Sequence, residues 1–218
     1  MSELRFGVSM SLDGFVAGPE QSVANPLGVG GLRLHEWLFA LAAWRKEAGL
    51  TGGETNASTP FAGGSDGFGA VIMGRNMFGG GPGPWTGTSP DAEQWQGWWG
   101  EDPPFHLPVF VLTHHERAPL PLLGGNSFTF VTGGIHEALD MARQAAGGKD
   151  VGLYGGGSTA RQYLAAGLVT EMRISLVPVL LGDGVRLFGG PELAGTALEQ
   201  VRVVEAPGVT HLVYRVTH

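Results

Sequence analysis

Cysteine is absent from the 218-residue chain. Disulfides, thiolate nucleophiles, iron–sulfur clusters and zinc–thiolate sites are therefore excluded. No apolar run approaches the roughly 18 residues of a membrane span, and residues 1–10 lack the basic start and apolar stretch of a signal peptide. These features predict a cytoplasmic protein without a membrane partner.

Charge is also scarce, because Asp, Glu, Lys and Arg make up only 15% of the residues, against about a quarter in an average protein. The 13 basic residues include only two lysines, Lys46 and Lys149, and 20 acidic residues bring the net charge to −7. A nucleic-acid partner needs clustered cations that displace phosphate counterions. We therefore expect a small-molecule partner and no nucleic acid.

Glycine is the abundant residue, with 38 copies. It has no three-residue period, which excludes collagen, and the apolar content of 43% argues against wholesale disorder. The length predicts one domain over residues 1–218. Long loops rich in glycine or tryptophan are expected at about 18–33, 51–67 and 79–104, and loops of this length usually form lids or binding loops.

Hydrophobic periodicity predicts strands that alternate with helices. The predicted strands are Leu4–Met10, Gly69–Met73, Val109–Thr113, Phe128–Thr132, Val151–Tyr154 and Glu171–Leu181, with a terminal hairpin of Val201–Glu205 and Leu212–Val216. The predicted helices are His35–Ala48, Ile135–Ala146 and one that runs from a glycine turn through Ala166. This alternation predicts an α/β fold with a mixed, mostly parallel central sheet.

The glycine turn lies between a predicted strand and a predicted helix, at Gly155, Gly156 and Gly157. Glycines let the backbone approach a ligand closely, and Ser158 and Thr159 suit a helix N-terminus. Such a turn can bind a pyrophosphate, or it can be a tight turn without a ligand. The chain has no phosphate loop of the type that ends in Gly-Lys-Ser/Thr, which disfavours chemistry driven by ATP or GTP.

The same segment permits a second interpretation, because residues 156–160 approximate the nucleophile elbow of a serine hydrolase. Asp183 and His211 follow Ser158 in the chain order of α/β-hydrolases. Few strands follow Ser158, however, and His211 falls within the predicted final hairpin.

Four segments follow one order and spacing over nearly the whole chain. They are Ser11–Ala17 (SLDGFVA), Val71–Arg75 (VIMGR), Gly155–Thr159 (GGGST) and Pro178–Phe188 (PVLLGDGVRLF). Together they resemble the dihydrofolate reductase-like superfamily, and most of all the reductase domain of bacterial riboflavin biosynthesis, which is the C-terminal domain of a bifunctional deaminase/reductase. The resemblance implies a three-layer αβα fold, a bound NADPH, hydride transfer to a small planar heterocycle and a homodimer.

The resemblance also implies a cofactor site. Val16 and Ala17 would flank the nicotinamide, and Gly74, Arg75 and Asn76 would lie beside the phosphates. The other implied contacts are Thr113, His114 and His115 near the adenosine end, and Gly155, Gly156, Gly157, Ser158 and Thr159 at the pyrophosphate. The guanidinium of Arg75 suits a 2′-phosphate, which it can bind bidentately; a surface ion pair is the alternative.

Phe15 and Tyr154 are predicted on the substrate side, where riboflavin reductases usually carry a polar and an acidic residue. Glu36 is the candidate for the carboxylate that dihydrofolate reductases place on their first helix, and the alternative is a solvated or capping glutamate. Trp85, with Trp95, Trp98 and Trp99, could stack on a planar substrate or anchor the loop. His114 and His115 lack further ligands at metal-binding spacing, so no metal site is expected.

Asp13 is the candidate proton donor, since its loop should face the nicotinamide. The alternative is an aspartate that hydrogen-bonds its own Asp-Gly turn. The sequence therefore favours an NADPH-dependent reductase of a riboflavin-precursor-like or pterin-like compound. A ligand-binding relative without turnover is the second hypothesis, and the serine hydrolase is the third.

Overall fold

The computed structural model describes residues 2–62, 65, 67–81, 83–85 and 95–217. Parts of the predicted loops at 51–67 and 79–104 thus lie outside the described residues. The strands are β1 (Leu4–Ser11), β2 (Phe15–Ala17), β3 (Phe68–Gly74), β4 (Pro108–Leu112), β5 (Leu120–Pro121), β6 (Ser127–Val131), β7 (Asp150–Tyr154), β8 (Glu171–Val177), β9 (Val185–Arg186), β10 (Ala197–Ala206) and β11 (Val209–Thr217).

The helices are mostly short. They are α1 (Glu36–Phe39), α2 (Ala42–Glu47), α3 (Thr59–Ala62), α4 (Arg75–Phe78), α5 (Gly134–Ala145) and α6 (Gly157–Ala165), with single 3-10 turns at Gly31–His35, Leu123–Gly125 and Pro191–Leu193. Among the described residues, no helix combines the length and apolar character that a membrane crossing requires.

Nine strands form the central sheet, in the order β10-β11-β8-β1-β7-β3-β4-β6-β5. The five pairings among β8, β1, β7, β3, β4 and β6 are parallel, whereas β10, β11 and β5 pair antiparallel to their neighbours. The prediction of a mixed, mostly parallel sheet with a C-terminal antiparallel hairpin is confirmed.

The two faces of the sheet are covered differently. Residues of α5 and α6, among them Leu139 and Tyr163, pack against one face in the largest buried cluster. On the other face, Trp37 of α1 and Ala62 of α3 pack over β8 and β11, and Trp85 packs with residues of β3, β4 and β6. These layers confirm the predicted α/β architecture and leave a cleft on the second face, between the two clusters.

Two predicted elements differ from the structure. The helix predicted over His35–Ala48 is interrupted at Leu41, which is extended, because the backbone of Ala40 and Ala42 hydrogen-bonds to Glu54 at 2.8 and 2.9 Å. The strand predicted over Glu171–Leu181 ends at Val177, since Pro178 has no N–H to continue the ladder.

A second, two-stranded sheet was not predicted, and it positions the loop after β1. In it β2 pairs antiparallel with β9. A Cβ atom at Gly157 would approach the carbonyl oxygen of Arg186 and the side chain of Val16. The small sheet therefore holds Val16 against the first residue of α6, and glycine is needed at that contact.

Candidate functional site

Three neighbouring cavities lie along one side of the molecule, near the carboxyl ends of β1, β3 and β7. We name them the inner cavity, the turn cavity and the arginine cavity, with volumes of about 300, 320 and 460 Å³. Ligands of open α/β sheets usually bind at this end of the strands.

The inner cavity lies between the sheet and the helices α1 and α3. Arg5, Gly7 and Ser9 of β1 and Arg173 and Ser175 of β8 line its sheet side, and its other lining residues are Phe6, Val8, His35, Trp37, Leu38, Phe61, Ala62, Phe68, Met77, Tyr154 and Gly155. The arginines already form ion pairs, Arg5 with Asp150 at 2.7 Å and Arg173 with Glu171 at 2.7 Å. The described lining contains no carboxylate side chain.

A buried polar network adjoins this cavity through the lining residues Ser175 and Phe61. His211 Nε2 hydrogen-bonds Ser58 Oγ at 2.8 Å, and its Nδ1 bonds Ser175 Oγ at 2.9 Å. The ring of Phe61 stacks on the imidazole with a centroid distance of 4.0 Å. Burial lowers the pKa of His211 to about 4, so the ring is neutral at pH 7 and holds Ser175 in place.

The turn cavity is built around the glycine turn and the loop after β1. Its lining comprises Val8, Val16, Ala17, Gln21, Pro26, Leu27, His35, Asn76, Met77, Trp98, Trp99, Gly155, Gly156, Gly157, Ser158 and Val185. Gly155 and Gly156 have φ values of 57° and 70°, which favour glycine. No side chain caps the N-terminus of α6, so the positive end of a nine-residue helix faces this cavity.

The arginine cavity adjoins the turn cavity, with which it shares Gln21, Pro26, Asn76 and Trp98. Its other lining residues are Ser22, Val23, Arg75, Gly79 and Gly81. The Arg75 guanidinium carbon lies 3.0 Å from the ring centroid of Trp85, and the guanidinium carbon of Arg117 lies 4.7 Å from the same centroid.

Arg75 has few hydrogen-bond partners among the described residues. Nη2 donates to the carbonyl oxygen of Gly81 at 2.9 Å, whereas Nε and Nη1 are buried without a hydrogen-bond partner in the described part of the chain. Burial, together with the like charge of Arg117, lowers the pKa of Arg75 to about 10. Arg75 is still charged at pH 7, so an anion in this cavity would interact favourably with it.

Comparison with known proteins supports the arrangement of these elements. The model of the RibD C-terminal domain matches residues 3–212. The chain belongs to the RibD C-terminal domain family. This family is one of oxidoreductases, and its members include the reductase domain that the four sequence segments resemble.

Individual relatives of this RibD C-terminal domain protein are distant or match only in part. The uncharacterized protein YyaP of Bacillus subtilis is 40% identical over 92 residues, which cover 40% of this chain and 48% of that protein. A crystal structure from Shewanella sp. PV-4, provisionally assigned to riboflavin biosynthesis, is 20% identical, with full coverage of both chains and a TM-score of 0.61. Dihydrofolate reductase from Enterococcus faecalis, complexed with NADP(H), is 9% identical over 99% of this chain and 97% of its own, with a TM-score of 0.50. These structures show that the fold is dihydrofolate reductase-like.

Most of the predicted cofactor residues come together in this RibD C-terminal domain protein. Val16, Ala17, Asn76 and the stretch Gly155–Ser158 line the turn cavity, and Arg75 lines the arginine cavity. Gly74 and Thr159 are buried against each other and line none of the three cavities, so their contact with a cofactor stays a prediction. Thr113, His114 and His115 also lie outside the three cavities, and their contact with a cofactor stays a prediction.

Three of the four predicted substrate residues, Phe15, Glu36 and Trp85, line none of the three cavities. Glu36 is exposed and lines none of the three cavities. Phe15 is buried, with the Arg186 guanidinium 4.3 Å from its ring centroid. Trp85 is buried among aromatic side chains, and its Nε1 donates to His115 O at 2.9 Å. Tyr154 does line the inner cavity.

The tryptophans of the loop divide between the two predicted roles. Trp85 and Trp95 anchor the loop, the latter by donating from Nε1 to Phe78 O at 2.9 Å. Trp98 and Trp99 line the turn cavity. Sequence reasoning could not separate them, because the four residues lie in one irregular segment without periodicity.

Asp13 bonds a second loop, a contact that neither interpretation of the sequence predicted. Its carboxylate accepts hydrogen bonds from the backbone N–H groups of Leu181 and Gly182 at 3.1 and 2.7 Å. Hydrogen bonds from the Ser11 side chain and from these amides lower the pKa of Asp13 to about 2. At neutral pH the group is an ionised anchor between two loops and is poorly suited to donate a proton.

The serine hydrolase hypothesis is wrong for this structure. His211 is 1% exposed and bonds Ser58 and Ser175, and Asp183 Oδ1 accepts from the backbone of Gly184. Ser158 instead lies at the start of α6. The three residues therefore do not form a triad.

The sequence did not single out Met77 or Gln21, and it left His35 open between a contact with substrate and a helix start. Of these, His35 and Met77 line both the inner and the turn cavity. The signal available for His35 was a polar side chain that immediately precedes an amphipathic helix near the first strand. That signal is common in proteins, and only the packing of α1 on the sheet shows that this side chain lines a cavity.

Proposed function

We propose that this protein is an NADPH-dependent reductase of a small planar heterocycle. One observation carries the proposal: the turn cavity brings Val16 and Ala17, from the loop after β1, against the glycine turn and the uncapped start of α6. This is the set of residues that the family resemblance implies for a dinucleotide. Membership in an oxidoreductase family and a fold shared with an NADP(H)-bound dihydrofolate reductase support it.

The residues present fit a phosphate-bearing dinucleotide. The free backbone N–H groups and the dipole at the start of α6 favour a pyrophosphate. Arg75 is half-buried with two unpaired guanidinium nitrogens among the described residues, and a 2′-phosphate would offset that charge. We therefore assign the pyrophosphate to Gly156, Gly157 and Ser158, and a second phosphate to Arg75.

The bound NADPH would supply a hydride. The chain itself has to align donor and acceptor and to exclude water. The turn and inner cavities share the lining residues Val8, His35, Met77 and Gly155, so molecules in the two cavities meet at that boundary. Three of these four residues present apolar or backbone atoms, which suits a dry contact between planar rings.

Proton delivery is not assigned to Asp13. Its carboxylate is engaged with Leu181 and Gly182, and it is ionised at neutral pH because its pKa is lowered to about 2. We assign Asp13 to fixing the loop that carries Val16 and Ala17, and we expect an ordered water to supply the proton.

Binding is tested by titrating NADPH against tryptophan fluorescence. Trp98 and Trp99 line the turn cavity, so bound NADPH should quench them, and Trp98→Phe should reduce the quenching. Trp44→Phe is the matched control, because Trp44 packs on Phe39 and lines none of the three cavities. No quenching at millimolar NADPH would overturn the proposal.

Turnover is tested separately by the loss of NADPH absorbance at 340 nm. Dihydrofolate, the riboflavin-pathway precursor and quinone-like acceptors are the compounds to screen. Binding of NADPH without oxidation by any acceptor would favour the second hypothesis, a ligand-binding relative without turnover.

A further inference from the structure

Gly7 leaves a gap in the sheet side of the inner cavity, which we name the Gly7 notch. Gly7 lies in the interior of β1 and lines this cavity. Its φ is outside the left-handed region that favours glycine, and a Cβ atom added there would meet only the Cβ atom of Arg173, at 4.0 Å. Neither the backbone nor the packing therefore requires glycine, although glycine weakens a strand interior. A strand glycine can instead mark the close approach of a ligand.

Arg173 and Tyr154 flank the Gly7 notch. Gly7 is in register with Tyr154 of β7 on one side and with Arg173 of β8 on the other. Residues in register on neighbouring strands present their side chains on the same face of a sheet, and all three residues line the inner cavity. Because β7 and β8 are two strand spacings apart, about 10 Å, a flat group fits over Gly7 between the guanidinium and the phenol.

The guanidinium of Arg173 is held from one side. Its Nε donates to Glu171 Oε1 at 2.7 Å, and no contact within the described part of the chain engages its Nη1 or Nη2. Arg5, the other cation of the lining, is bound through Nη2 to Asp150 at 2.7 Å. Neither Glu171 nor Asp150 lines the cavity, so the two charged side chains that do line it are both cations.

We propose that the Gly7 notch binds a carboxylate of the substrate, which the two Nη groups of Arg173 hold bidentately. This inference rests on the proposed function and names the substrate class, a planar heterocycle that carries a carboxylate. Trp37, Phe61 and Phe68 supply apolar walls for the ring. The volume of about 300 Å³ is at the lower end for ligand sites, which suits a small planar acid.

The experiment uses two pterins of similar size. Pterin-6-carboxylate carries the anion, and 6-hydroxymethylpterin carries a neutral group at the same ring position. Their dissociation constants are measured by calorimetry at pH 7, without cofactor and with saturating NADP⁺. We expect the wild type to bind the carboxylate at least about tenfold more tightly, because a carboxylate accepts charge-assisted hydrogen bonds from the guanidinium.

Three arginine variants separate direct contact from long-range charge. Arg173→Met keeps a long side chain without the guanidinium, so it should abolish the preference and leave the affinity for 6-hydroxymethylpterin nearly unchanged. Arg173→Lys keeps a cation and should retain part of the preference. Arg215→Met is the matched control, because Arg215 lies on the adjacent strand β11, pairs with Glu199 at 2.6 Å and lines none of the three cavities. It should keep the preference, and thermal melting shows whether each variant is folded.

Gly7→Ala tests the notch without a change of charge. The added methyl group has room in the fold, so the melting temperature should stay the same or rise. The methyl group takes space that the ligand needs, so the affinity for pterin-6-carboxylate should fall by about tenfold. A lower melting temperature with unchanged binding would show that Gly7 serves the fold alone.

Equal binding of the two probes by the wild type, a preference that survives in Arg173→Met, an equal loss of preference in Arg215→Met or no binding of either probe would each overturn the inference. The NADPH titration without probe tests the proposed function separately. If NADPH binds while the two probes bind equally, the proposed function stands and the carboxylate site is wrong. If the preference for the carboxylate is found without NADPH binding, the proposed function is wrong and the Gly7 notch remains a carboxylate site.

Discussion

Thr159 Oγ1 occupies the space in which a Cβ atom of residue 74 would stand. Gly74 ends β3 and Thr159 lies in the first turn of α6. The φ of Gly74 is −81°, which any residue can adopt, so steric contact and not backbone conformation requires glycine here. The contact sets the distance between the strand that leads to Arg75 and the helix whose start faces the turn cavity.

Gly74→Ala is expected to lower the free energy of unfolding by about 1–3 kcal/mol, because the added methyl group overpacks a closed contact. Thr159→Ala removes the obstructing oxygen, so the double variant should be more stable than the sum of the two single effects predicts. Urea unfolding of the four proteins in this cycle measures the coupling. Strict additivity would contradict the contact.

Asp13→Asn is expected to lower the melting temperature at pH 7, because the charge-assisted hydrogen bonds to Leu181 and Gly182 weaken. The pKa of Asp13 is lowered from 3.8 to about 2 in the folded protein, so its contribution to stability is present above pH 4 and is lost as the pH falls toward 2. The difference in melting temperature between wild type and variant should therefore shrink over that range.

The matched control for Asp13 is Asp183→Asn, since Asp183 bonds only the backbone N–H of its neighbour Gly184 among the described contacts. Asp183→Asn removes a carboxylate from the same loop region, and we expect it to lower the melting temperature less than Asp13→Asn does. A role for Asp13 as proton donor would instead appear as a large loss of turnover in Asp13→Asn with an unchanged melting temperature.

The order of strands and helices could be predicted from the sequence, because it depends on local periodicity. Val71, Ile72 and Met73 form a continuous apolar run, and β3 is buried on both faces. The helix break at Leu41 could not be predicted, since it depends on pairing with Glu54, thirteen residues later. The pairing of β2 with β9 could not be predicted either, because it joins residues that are far apart in the sequence.

The parts of the candidate site that a backbone motif defines could be predicted from the sequence. The parts that side-chain packing defines could not. Gly155–Gly157 reach the turn cavity as their spacing indicates. Trp85 and Trp98 look alike in the sequence, but one is buried in a cluster and the other lines two cavities. His211 was misread because a buried neutral histidine and a catalytic histidine have the same local signature.

His211 is expected to make the protein sensitive to mild acid. Burial lowers its pKa from 6.5 to about 4, so the unfolded chain binds a proton more readily than the folded one between these values. Stability is then fully present above about pH 6.5 and falls as the pH drops toward 4, by no more than about 3 kcal/mol.

Urea unfolding at pH 7.5 and pH 5 measures this effect. His211→Gln should be less stable than the wild type at pH 7.5, since it loses a bond to Ser58 or Ser175. Between pH 7.5 and pH 5, its free energy of unfolding should fall by less than that of the wild type. His136→Gln is the control, because His136 is exposed. If the free energy of unfolding falls equally in wild type and His211→Gln between the two pH values, His211 is not the group that causes the acid sensitivity.

Arg75→Met separates a ligand-binding role from a structural one, because the two roles predict opposite outcomes. If Arg75 awaits a phosphate, its removal relieves the repulsion from Arg117 and removes two buried nitrogens that have no hydrogen-bond partner among the described residues. The same change loses the stacking on Trp85. These effects oppose each other. The free energy of unfolding should then stay within about 1 kcal/mol of the wild type, whereas NADPH affinity falls by about 10- to 100-fold.

The comparison with NADH sharpens this test. If Arg75 pairs with the 2′-phosphate, Arg75→Met should weaken NADPH binding and leave NADH binding nearly unchanged. Arg33→Met removes one positive charge from an exposed position and controls for the change in net charge. A loss of stability without a loss of NADPH affinity would show that Arg75 only stabilises the loop. Equal losses of affinity for NADPH and NADH would show that Arg75 binds the pyrophosphate and not the 2′-phosphate.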